Sequence, residues 1–477
     1  MLDEQLQAWF GEATQAHQVP GASLAVLVGS AVYCAVAGVR SVGTLEAVTP
    51  ETLFQLGSAT KPWTAAALMR LVDAEKLDLN APVAGLLGDP EVASAPALMG
   101  VNLRHLLSHT SGLPGDYLLD LGEDDGVLAR YASRCGALWP QHAPGETMSY
   151  CNTGYILAGR LLEVLTGKVW DEAMRDLLFS PLRLRRTVTS AHDALRLGVA
   201  RGHTLREVPP SDGPGPERKA AMAWQEVPRW EVPRTLGPAG AICTTATELL
   251  AFARLHLEHG VTADGTRLLS KHTIDTLDSA HVAVPEPWSV GSHWGLGMAL
   301  ATWCGRRVLA HPGSGAGQFA FLHIVPDRGL AIALLTNGGH AGLLHREVLR
   351  VLLAELADLE VPAPLAPAAR SAGDVRGALG EKSWASLVGV YERLGLRLEV
   401  EAKDDTEGVL RVITTGPVAS LAPQPVHALP LRPVAPRQGV FATQLPHEDG
   451  WKAVVFYQLD DGRQYVHTGL RATPRVH

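Results

Sequence analysis

The sequence of 477 residues predicts a layered α+β or α/β domain followed by a small all-β barrel. Strand-like segments lie near the N-terminus and again in the fourth hundred of residues, and they enclose a mostly helical middle. This order indicates an antiparallel sheet flanked by helices, plus a helical subdomain. Near the C-terminus, short runs of alternating apolar and polar residues are separated by turn signals, a pattern typical of a small barrel or sandwich.

The first strands follow a short amphipathic helix at the N-terminus. Residues 21–40, GASLAVLVGSAVYCAVAGVR, are typical of two strands joined by a turn at Gly29 and Ser30. Further strands are predicted in RRVLAH, GQFAFLHIVP and LAIALLTN, followed by a helix in HREVLRVLLAELADL. We therefore expect the hairpin and the later strands to contribute to the antiparallel sheet of the first domain.

Three further segments predict helices. Residues 58–77, SATKPWTAAALMRLVDAEKL, carry apolar residues at helical spacing, and Pro62 falls in the first turn, where its missing N–H costs little. The middle of the chain adds the helical stretches TGYILAGRLLEVLTG and TATELLAFARLHLEHG. These helices supply the layers that cover the sheet.

The chain divides at a segment rich in Pro and Ala. VPAPLAPAARSAGDVRGALG, residues 361–380, predicts a linker. We therefore expect a first domain over residues 1–360, the linker over 361–380 and a β-barrel domain over 381–477.

The composition limits the partners and the compartment. A net charge of −8 argues against a nucleic-acid partner, and no apolar run is long enough to cross a bilayer. The N-terminal residues lack the basic and apolar regions of a signal peptide, so we expect a cytoplasmic protein, or a periplasmic or secreted one if such a peptide was removed. The five cysteines are scattered, which predicts free thiols, and no metal or other cofactor is expected.

The first group of chemically active residues is Ser58-Ala59-Thr60-Lys61, the one Ser-x-x-Lys in the sequence. Spacing of three on a helix puts both side chains on one face. An amine with a depressed pKa can then take the proton of the serine hydroxyl, and the helix N-terminus directs the Ser58 N–H toward a developing oxyanion. Alone, the motif is weak, because a chain of this length should contain roughly one such pair by chance, and a surface Ser and Lys at the start of a helix would explain it.

The second group, Tyr150-Cys151-Asn152, lies in a loop just before a predicted helix. A phenol near a cationic Lys can be drawn toward phenolate and relay protons, while a carboxamide can hold a substrate carbonyl or amide. The structural alternative is a loop tyrosine on the core and an asparagine that caps the helix.

The third group is chosen from three His-x-Gly triplets, beginning at His311, His340 and His467. His311 lies between two strand-like runs and opens the glycine-rich stretch HPGSGAG, where a substrate backbone can approach closely. His340 and His467 are interpreted as structural.

These three motifs in this order resemble the serine β-lactamase and penicillin-binding-protein superfamily, specifically its class C β-lactamase-like branch of esterases and D-amino-acid-type peptidases. LRHLLSHTSGLP, GPAGAICTTATELLAFARLHL and VPDRGLAIALLTN are similar to recurrent segments of that family, so the resemblance covers roughly residues 5 to 355. Around LVGVYE the C-terminal unit resembles the lipocalin-like barrels appended to some peptidases of this branch.

The resemblance implies a role for each motif residue. Ser58 would be the nucleophile, Lys61 its base and Tyr150 the proton relay for acylation and deacylation. Asn152 would orient the substrate. The remaining implied residues are Ser314, which would add a second oxyanion N–H to that of Ser58, and His311 and Gly313, which would line the strand that pairs with the substrate.

The third motif departs from the family pattern, which has Lys-Thr-Gly or Lys-Ser-Gly where this chain has His311-Pro312-Gly313. Histidine is only partly charged near neutral pH, and proline brings neither a hydroxyl nor an N–H, so an anchor for a substrate carboxylate is weakened. We therefore expect an acyl-enzyme serine hydrolase acting on esters, amides or peptides.

Two alternatives remain open at this point: a β-lactamase or D-Ala-D-Ala carboxypeptidase, and a penicillin-binding module without turnover. The predicted partner is a small ester, β-lactam or peptide, and assembly into a homo-oligomer is left open.

Other patterns in the sequence point less strongly to a functional site. His105 and His109 are four residues apart on a predicted helix, yet no HExxH accompanies them, so we do not expect a metal site there. The polar segment of residues 201–230 is the expected source of substrate specificity. Its Trp224 and Trp230 would either form a wall on the acyl side or pin the loop to the core.

Overall fold

A computed structural model describes residues 3–208, 221–367, 384–403, 407–416, 419, 425–445 and 450–476. The strands of the first domain are β1 (Gly21–Val28), β2 (Ala31–Gly38), β3 (Phe54–Gln55), β4 (His203–Val208), β5 (Ala221–Glu226), β6 (Cys243–Thr244), β7 (Val282–Ala283), β8 (His293–Trp294), β9 (Ala299–Trp303), β10 (Arg306–Gly315), β11 (Gln318–Val325) and β12 (Leu330–Thr336). Eight of them form one antiparallel sheet in the order β2-β1-β12-β11-β10-β9-β8-β7. The predicted antiparallel sheet is therefore confirmed.

The helices of this domain are α1 (Asp3–Ala16), α2 (Lys61–Asp73), α3 (Pro90–Ala93), α4 (Leu103–Leu107), α5 (Val127–Cys135), α6 (Asn152–Thr166), α7 (Trp170–Met174), α8 (Ala191–Leu197), α9 (Gly237–Gly240), α10 (Ala246–Leu257), α11 (Lys271–Leu277) and α12 (Ala341–Ala357). The helices predicted in the middle of the chain correspond to α6 and α10, and the one after the last strand corresponds to α12. Among the described residues, no helix combines the length and the apolar character needed to cross a bilayer.

Strand β1, which lies between β2 and β12, is buried on both faces. Val26 belongs to a core cluster that includes Phe10 of α1 and Val348 of α12, whereas Leu27 belongs to a second cluster that includes Trp63 of α2 and Phe252 of α10. Successive side chains of a strand point to opposite faces, so helices must cover both sides of the sheet. The hairpin between β1 and β2 turns at Gly29 and Ser30 as predicted, with Gly29 at φ 58°.

The helix predicted over residues 58–77 is shorter than expected. A 3₁₀ turn, Gly57–Thr60, comes first, and α2 begins at Lys61 with Pro62 in its first turn. The helix ends at Asp73 because Glu75 adopts the left-handed conformation, with φ 56°.

The C-terminal unit is an eight-stranded antiparallel sheet whose strands follow one another in chain order. They are β13 (Gly389–Arg393), β14 (Leu396–Ala402), β15 (Gly408–Thr414), β16 (Val426–Ala435), β17 (Val440–Thr443), β18 (Lys452–Gln458), β19 (Gln464–Thr468) and β20 (Arg471–Pro474). A bridge between Tyr391 and Arg475 brings the first strand to the last, so the barrel is nearly closed. A short helix, α13 (Trp384–Leu387), packs Trp384 against Phe441 in the barrel core. The predicted small barrel is confirmed.

Two segments of the structure differ from the pattern in the sequence. Strand β16 contains Pro430 and Pro433, residues that usually argue against a strand, and its pairing with β17 shifts register between Pro433 and Ala435. The polar segment of residues 201–230 includes the hairpin β4–β5, in which Leu205 lies opposite Trp224. Residues 209–220 of that segment lie outside the described residues.

The division into residues 1–360, 361–380 and 381–477 stays a prediction. The end of α12 at Ala357 and the start of the barrel at Gly389 support it. Residues 361–367 contain no helix or strand, and the rest of the expected linker lies outside the described residues.

The core beside α2 gives a direct test of the fold. Trp63 is fully buried, stacks on Phe252 with 4.2 Å between ring centroids and meets the edge of Phe179. We expect Trp63→Ala to lower the free energy of unfolding by about 3–5 kcal/mol, because it removes a buried aromatic ring and leaves a cavity. Urea unfolding followed by circular dichroism measures this loss.

The matched control is Trp139→Ala, since the Trp139 side chain is 74% exposed. This variant should change the free energy of unfolding by less than about 0.5 kcal/mol. Equal unfolding curves for the two variants would contradict the packing described for α2.

Candidate active site

The 3₁₀ turn that carries Ser58 is fixed against strand β10 by two glycines. A Cβ added to Gly57 would overlap the carbonyl of Ser314, and one added to Gly313 would overlap the carbonyl of Leu56. Gly57 also has φ 51°, a conformation that favours glycine. The close approach of turn and strand therefore sets the position of the Ser58 hydroxyl.

Lys61 follows on the first turn of α2 and is fully buried. Its Nζ lies 3.0 Å from Ser58 Oγ and donates to the carbonyl of Ala239 in α9 at 2.8 Å. Burial is the main reason that the pKa of Lys61 falls well below its ordinary value, and the positive charge of Arg471 lowers it further. A neutral amine beside a serine hydroxyl can accept its proton.

Tyr150 lies over Lys61, with Nζ 4.9 Å from the centroid of the phenol ring. The Tyr150 side chain is buried, and burial raises its pKa although Ser58 and Arg471 act in the opposite direction. The expected drift toward phenolate is therefore wrong, because desolvation of the phenol outweighs the effect of the nearby Arg471 cation. Tyr150 is a protonated phenol that can donate its proton.

Asn152 begins α6 two residues later, so the helix fixes its direction relative to Tyr150. Its Nδ2 donates to Asp116 Oδ1 at 3.0 Å. The residue that caps the helix is Cys151, whose Sγ accepts from the N–H of Gly154. Burial raises the pKa of the Cys151 thiol to about 11, which marks it as a structural thiol.

Two arginines of the barrel reach the same carboxylate. Arg471 donates to both oxygens of Asp116, at 2.6 and 2.8 Å, and Arg393 donates to one of them at 3.0 Å. Burial alone would raise the pKa of Asp116, but these guanidinium groups and Asn152 outweigh it and lower the pKa to about 2. The guanidinium of Arg471 also lies 5.2 Å from the centroid of the Tyr150 ring. No local pattern in the sequence points to this arrangement.

The barrel also holds the backbone that leads to Tyr150. The hydroxyl of Tyr457 is hydrogen-bonded to Thr147 Oγ1 at 3.0 Å, and His467 Nε2 donates to the carbonyl of Met148 at 3.0 Å. The N–H of Ala472 donates to Ser149 Oγ at 3.2 Å. The N–H of Tyr150 in turn donates to the carbonyl of Leu470 at 2.7 Å. Four consecutive residues, 147–150, are therefore fixed by the C-terminal unit.

His311 lies in β10 near the phenol, with 6.3 Å between the ring centroids of His311 and Tyr150. It is buried, and burial together with the nearby Lys61 lowers its pKa to about 3. The expectation of a partly charged histidine is therefore corrected: His311 is neutral. The third motif places no cation in the site.

Strand β10 changes its pairing at this motif. Its pairs with β9 end at Ala310, whereas its pairs with β11 continue from His311 to Gly315. Beyond Ala310, the backbone lies against the turn that carries Ser58, because Gly313 packs on the carbonyl of Leu56. Ser314, which the resemblance implies for a second oxyanion N–H, lies on this stretch and is exposed.

His109, which lies four residues from His105, also contacts the site. Its ring lies 4.2 Å from that of Tyr150, and its Nδ1 accepts from the N–H of Cys151 at 2.9 Å. His105 instead completes the cap of α4 with Asn102. Within the described part of the chain, no group of three or more His, Cys, Asp or Glu side chains could hold a metal ion.

Of the two tryptophans considered for the acyl side, Trp230 is almost fully buried in a core cluster with Leu53 and Val199. It pins its loop to the core, one of the two alternatives that the sequence left open. Trp224, which lies in the β4–β5 hairpin, packs edge-on against His340.

Together, the site offers a hydroxyl, an amine whose lowered pKa favours the neutral form that can accept a proton, and a phenol whose raised pKa keeps the proton it can donate. The structure brings Ser58, Lys61 and Tyr150 together, with Asn152 and His311 beside them. This set can support nucleophilic attack by Ser58 on a carbonyl carbon.

Comparisons with known proteins agree with the geometry. A family model described as Beta-lactamase matches residues 6–356. The chain is 41% identical over 381 residues to penicillin-binding protein 4 of Amycolatopsis lactamdurans, covering 80% of this chain and 94% of that relative. It is 27% identical to unguisins hydrolase ungD' of Aspergillus campestris, over 70% of this chain and 62% of the relative.

Among solved structures, SurE has a TM-score of 0.75 and 27% identity, with 99% of both chains covered. The complex of SurE with D-Leu has a TM-score of 0.73 and 26% identity. Both comparisons include the barrel as well as the sheet domain. The chain belongs to the β-lactamase family of serine hydrolases.

Proposed function

We propose that Ser58 is the nucleophile of this serine hydrolase, that Lys61 is its general base and that Tyr150 relays the proton. The observation that carries the proposal is the buried Lys61 Nζ, 3.0 Å from Ser58 Oγ, with a pKa well below its ordinary value. A cationic Lys61 could not accept the proton of the hydroxyl, whereas the neutral amine can.

The reaction then proceeds in two stages. Lys61 takes the Ser58 proton as Oγ bonds to the substrate carbonyl carbon, and the N–H groups of Ser58 and Ser314 stabilise the oxyanion. Tyr150 donates its proton to the departing alcohol or amine as the bond to the leaving group breaks, and it regains a proton from the protonated Lys61. Water attacks the acyl-enzyme in the second stage, with its proton moving through the same groups and Ser58 regaining its hydrogen.

The proposed substrates are esters, amides or peptides, including peptides with a D-residue, and Asn152, His311 and Gly313 would bind them. A neutral His311 supports this class because it supplies no permanent charge for the carboxylate of a β-lactam. The complex of SurE with D-Leu is consistent with a D-residue in the substrate.

A second candidate is a β-lactamase, a D-Ala-D-Ala carboxypeptidase or a penicillin-binding module. The name of the Amycolatopsis relative and its 41% identity favour penicillin as a ligand. Substrate turnover distinguishes this candidate from the first.

Intact-protein mass spectrometry tests the nucleophile. Wild-type protein treated with a serine-reactive phosphonate should gain one adduct mass, and Ser58→Ala should gain none, because the bond forms at Ser58 Oγ. Tyr150→Phe should still bind but react about 10²- to 10⁴-fold more slowly, since it loses the proton relay.

A wild-type protein that gains no mass from phosphonate or penicillin, or a Ser58→Ala variant that gains it, would contradict the assignment. Rates on p-nitrophenyl acetate, a cephalosporin and D-amino-acid anilides then separate the candidates. Fast cephalosporin turnover would overturn the preference for esters and peptides.

The charge of Arg471 predicts a pH effect. Because Lys61 must be neutral to act, the rate should rise with pH as Lys61 loses its proton, with a midpoint well below 10.5. Arg471 lowers the pKa of Lys61 whereas Asp116 raises it, so Arg471→Met should move the midpoint to higher pH. The rate of phosphonate labelling as a function of pH gives the midpoint.

Arg471→Lys is the control, since it keeps a positive charge and should leave the midpoint close to the wild-type value. A midpoint that moves to lower pH in Arg471→Met would show that Arg471 does not act on Lys61 through its charge.

A further inference from the structure

We propose that Glu286, a buried carboxylate on the hydrolase domain, is a positioning residue for Tyr150 and acts through Leu470 of the barrel. The inference rests on the proposed role of Tyr150 as proton relay. Nothing in the motifs of the sequence pointed to Glu286, which lies between β7 and β8.

The first observation is a pair of hydrogen bonds in series. Glu286 is 1% exposed, and its Oε1 accepts from the backbone N–H of Leu470. The carbonyl of Leu470 accepts from the backbone N–H of Tyr150 at 2.7 Å. One barrel residue therefore connects the carboxylate to the backbone of the phenol.

The second observation is the conformation of the turn between β19 and β20. Gly469 and Leu470 have φ values of 59° and 64°, as in the two-residue turn in which both central residues are left-handed. Leucine rarely adopts this conformation, so the surrounding contacts must hold it there. The Leu470 side chain packs against the apolar cluster that contains Tyr150 and Trp294.

A third contact closes a ring. His467 is fully buried, and its Nε2 donates to the carbonyl of Met148 at 3.0 Å. Its Nδ1 lies 3.8 Å from Glu286 Oε1. Glu286 therefore contacts two barrel residues, Leu470 and His467, that bind the segment leading to Tyr150.

The physical consequence follows from the burial of these groups. A backbone N–H that loses its acceptor in a dry interface is costly to leave unpaired, so the strained turn would rearrange without Glu286. Leu470 would then release Tyr150, whose hydroxyl must stay within reach of the reacting atoms. A displacement of about 1 Å at such a group can lower a rate about 10²-fold.

The test compares Glu286→Ala with Glu286→Gln. The glutamine keeps an oxygen that can accept from the N–H of Leu470, whereas the alanine does not. We expect Glu286→Ala to lower the rate constant of phosphonate labelling at saturation about 10²-fold, with half-saturation changed less than about two-fold. Glu286→Gln should restore the rate constant to within about three-fold of wild type.

The control is Asp278→Ala, because Asp278 is another buried carboxylate paired with a histidine, His256, at 2.8 Å. It should lower the melting temperature as Glu286→Ala does and leave the labelling rate constant unchanged. If Glu286→Ala fails to fold, Glu286→Asp replaces it. The shorter aspartate withdraws from Leu470 and should slow labelling at least about ten-fold.

A double-mutant cycle separates positioning from general damage. In a Tyr150→Phe background, Glu286→Ala should cause no further loss of rate, because it acts through the Tyr150 hydroxyl. An equal loss in both backgrounds, an unchanged rate in Glu286→Ala, or a Glu286→Gln as slow as Glu286→Ala would overturn the inference. By contrast, labelling that survives in Ser58→Ala would overturn the proposed nucleophile. The rates of the Glu286 variants would still decide whether Glu286 positions Tyr150.

Discussion

The burial of one amine organises the site. Lys61 is fully buried, and among the described residues its Nζ contacts the Ser58 hydroxyl and the carbonyl of Ala239 without a carboxylate in salt-bridge contact. A buried ammonium without a paired anion is costly, so burial lowers the pKa of Lys61 and favours the neutral amine, which can act as a base. Helix α9, which carries Ala239, packs closely on α6, since a Cβ at Gly159 would overlap Pro238. The helix that begins at Asn152 thus supports the carbonyl that Lys61 binds.

The barrel completes this arrangement from outside the sheet domain. Its residues bond the segment of residues 147–150, and Arg471 and Arg393 neutralise Asp116, which holds Asn152. Arg471 also lowers the pKa of Lys61 and lies beside the Tyr150 ring. The C-terminal unit is therefore part of the proposed catalytic site, because it contacts both Tyr150 and Asp116 directly.

The sequence predicted what depends on neighbours along the chain. The spacing of Ser58 and Lys61, the hairpin at Gly29 and the alternating strands of the barrel are local patterns, and the structure has all of them. Arg471 lies 355 residues from Asp116, and Glu286 lies 184 residues from Leu470, so no local pattern could join them. Ionisation states were missed for a related reason. The protonated Tyr150 and the neutral His311 follow from burial, which depends on the whole fold.

The proposed mechanism requires a covalent bond at Ser58 Oγ. The most direct measurement is peptide mapping of the phosphonate-labelled protein by mass spectrometry. If Ser58 is the nucleophile, the adduct mass is found on the peptide that contains Ser58, and on no other. An adduct on another peptide, with the Ser58 peptide unmodified, would contradict the proposed nucleophile and with it the roles given to Lys61 and Tyr150.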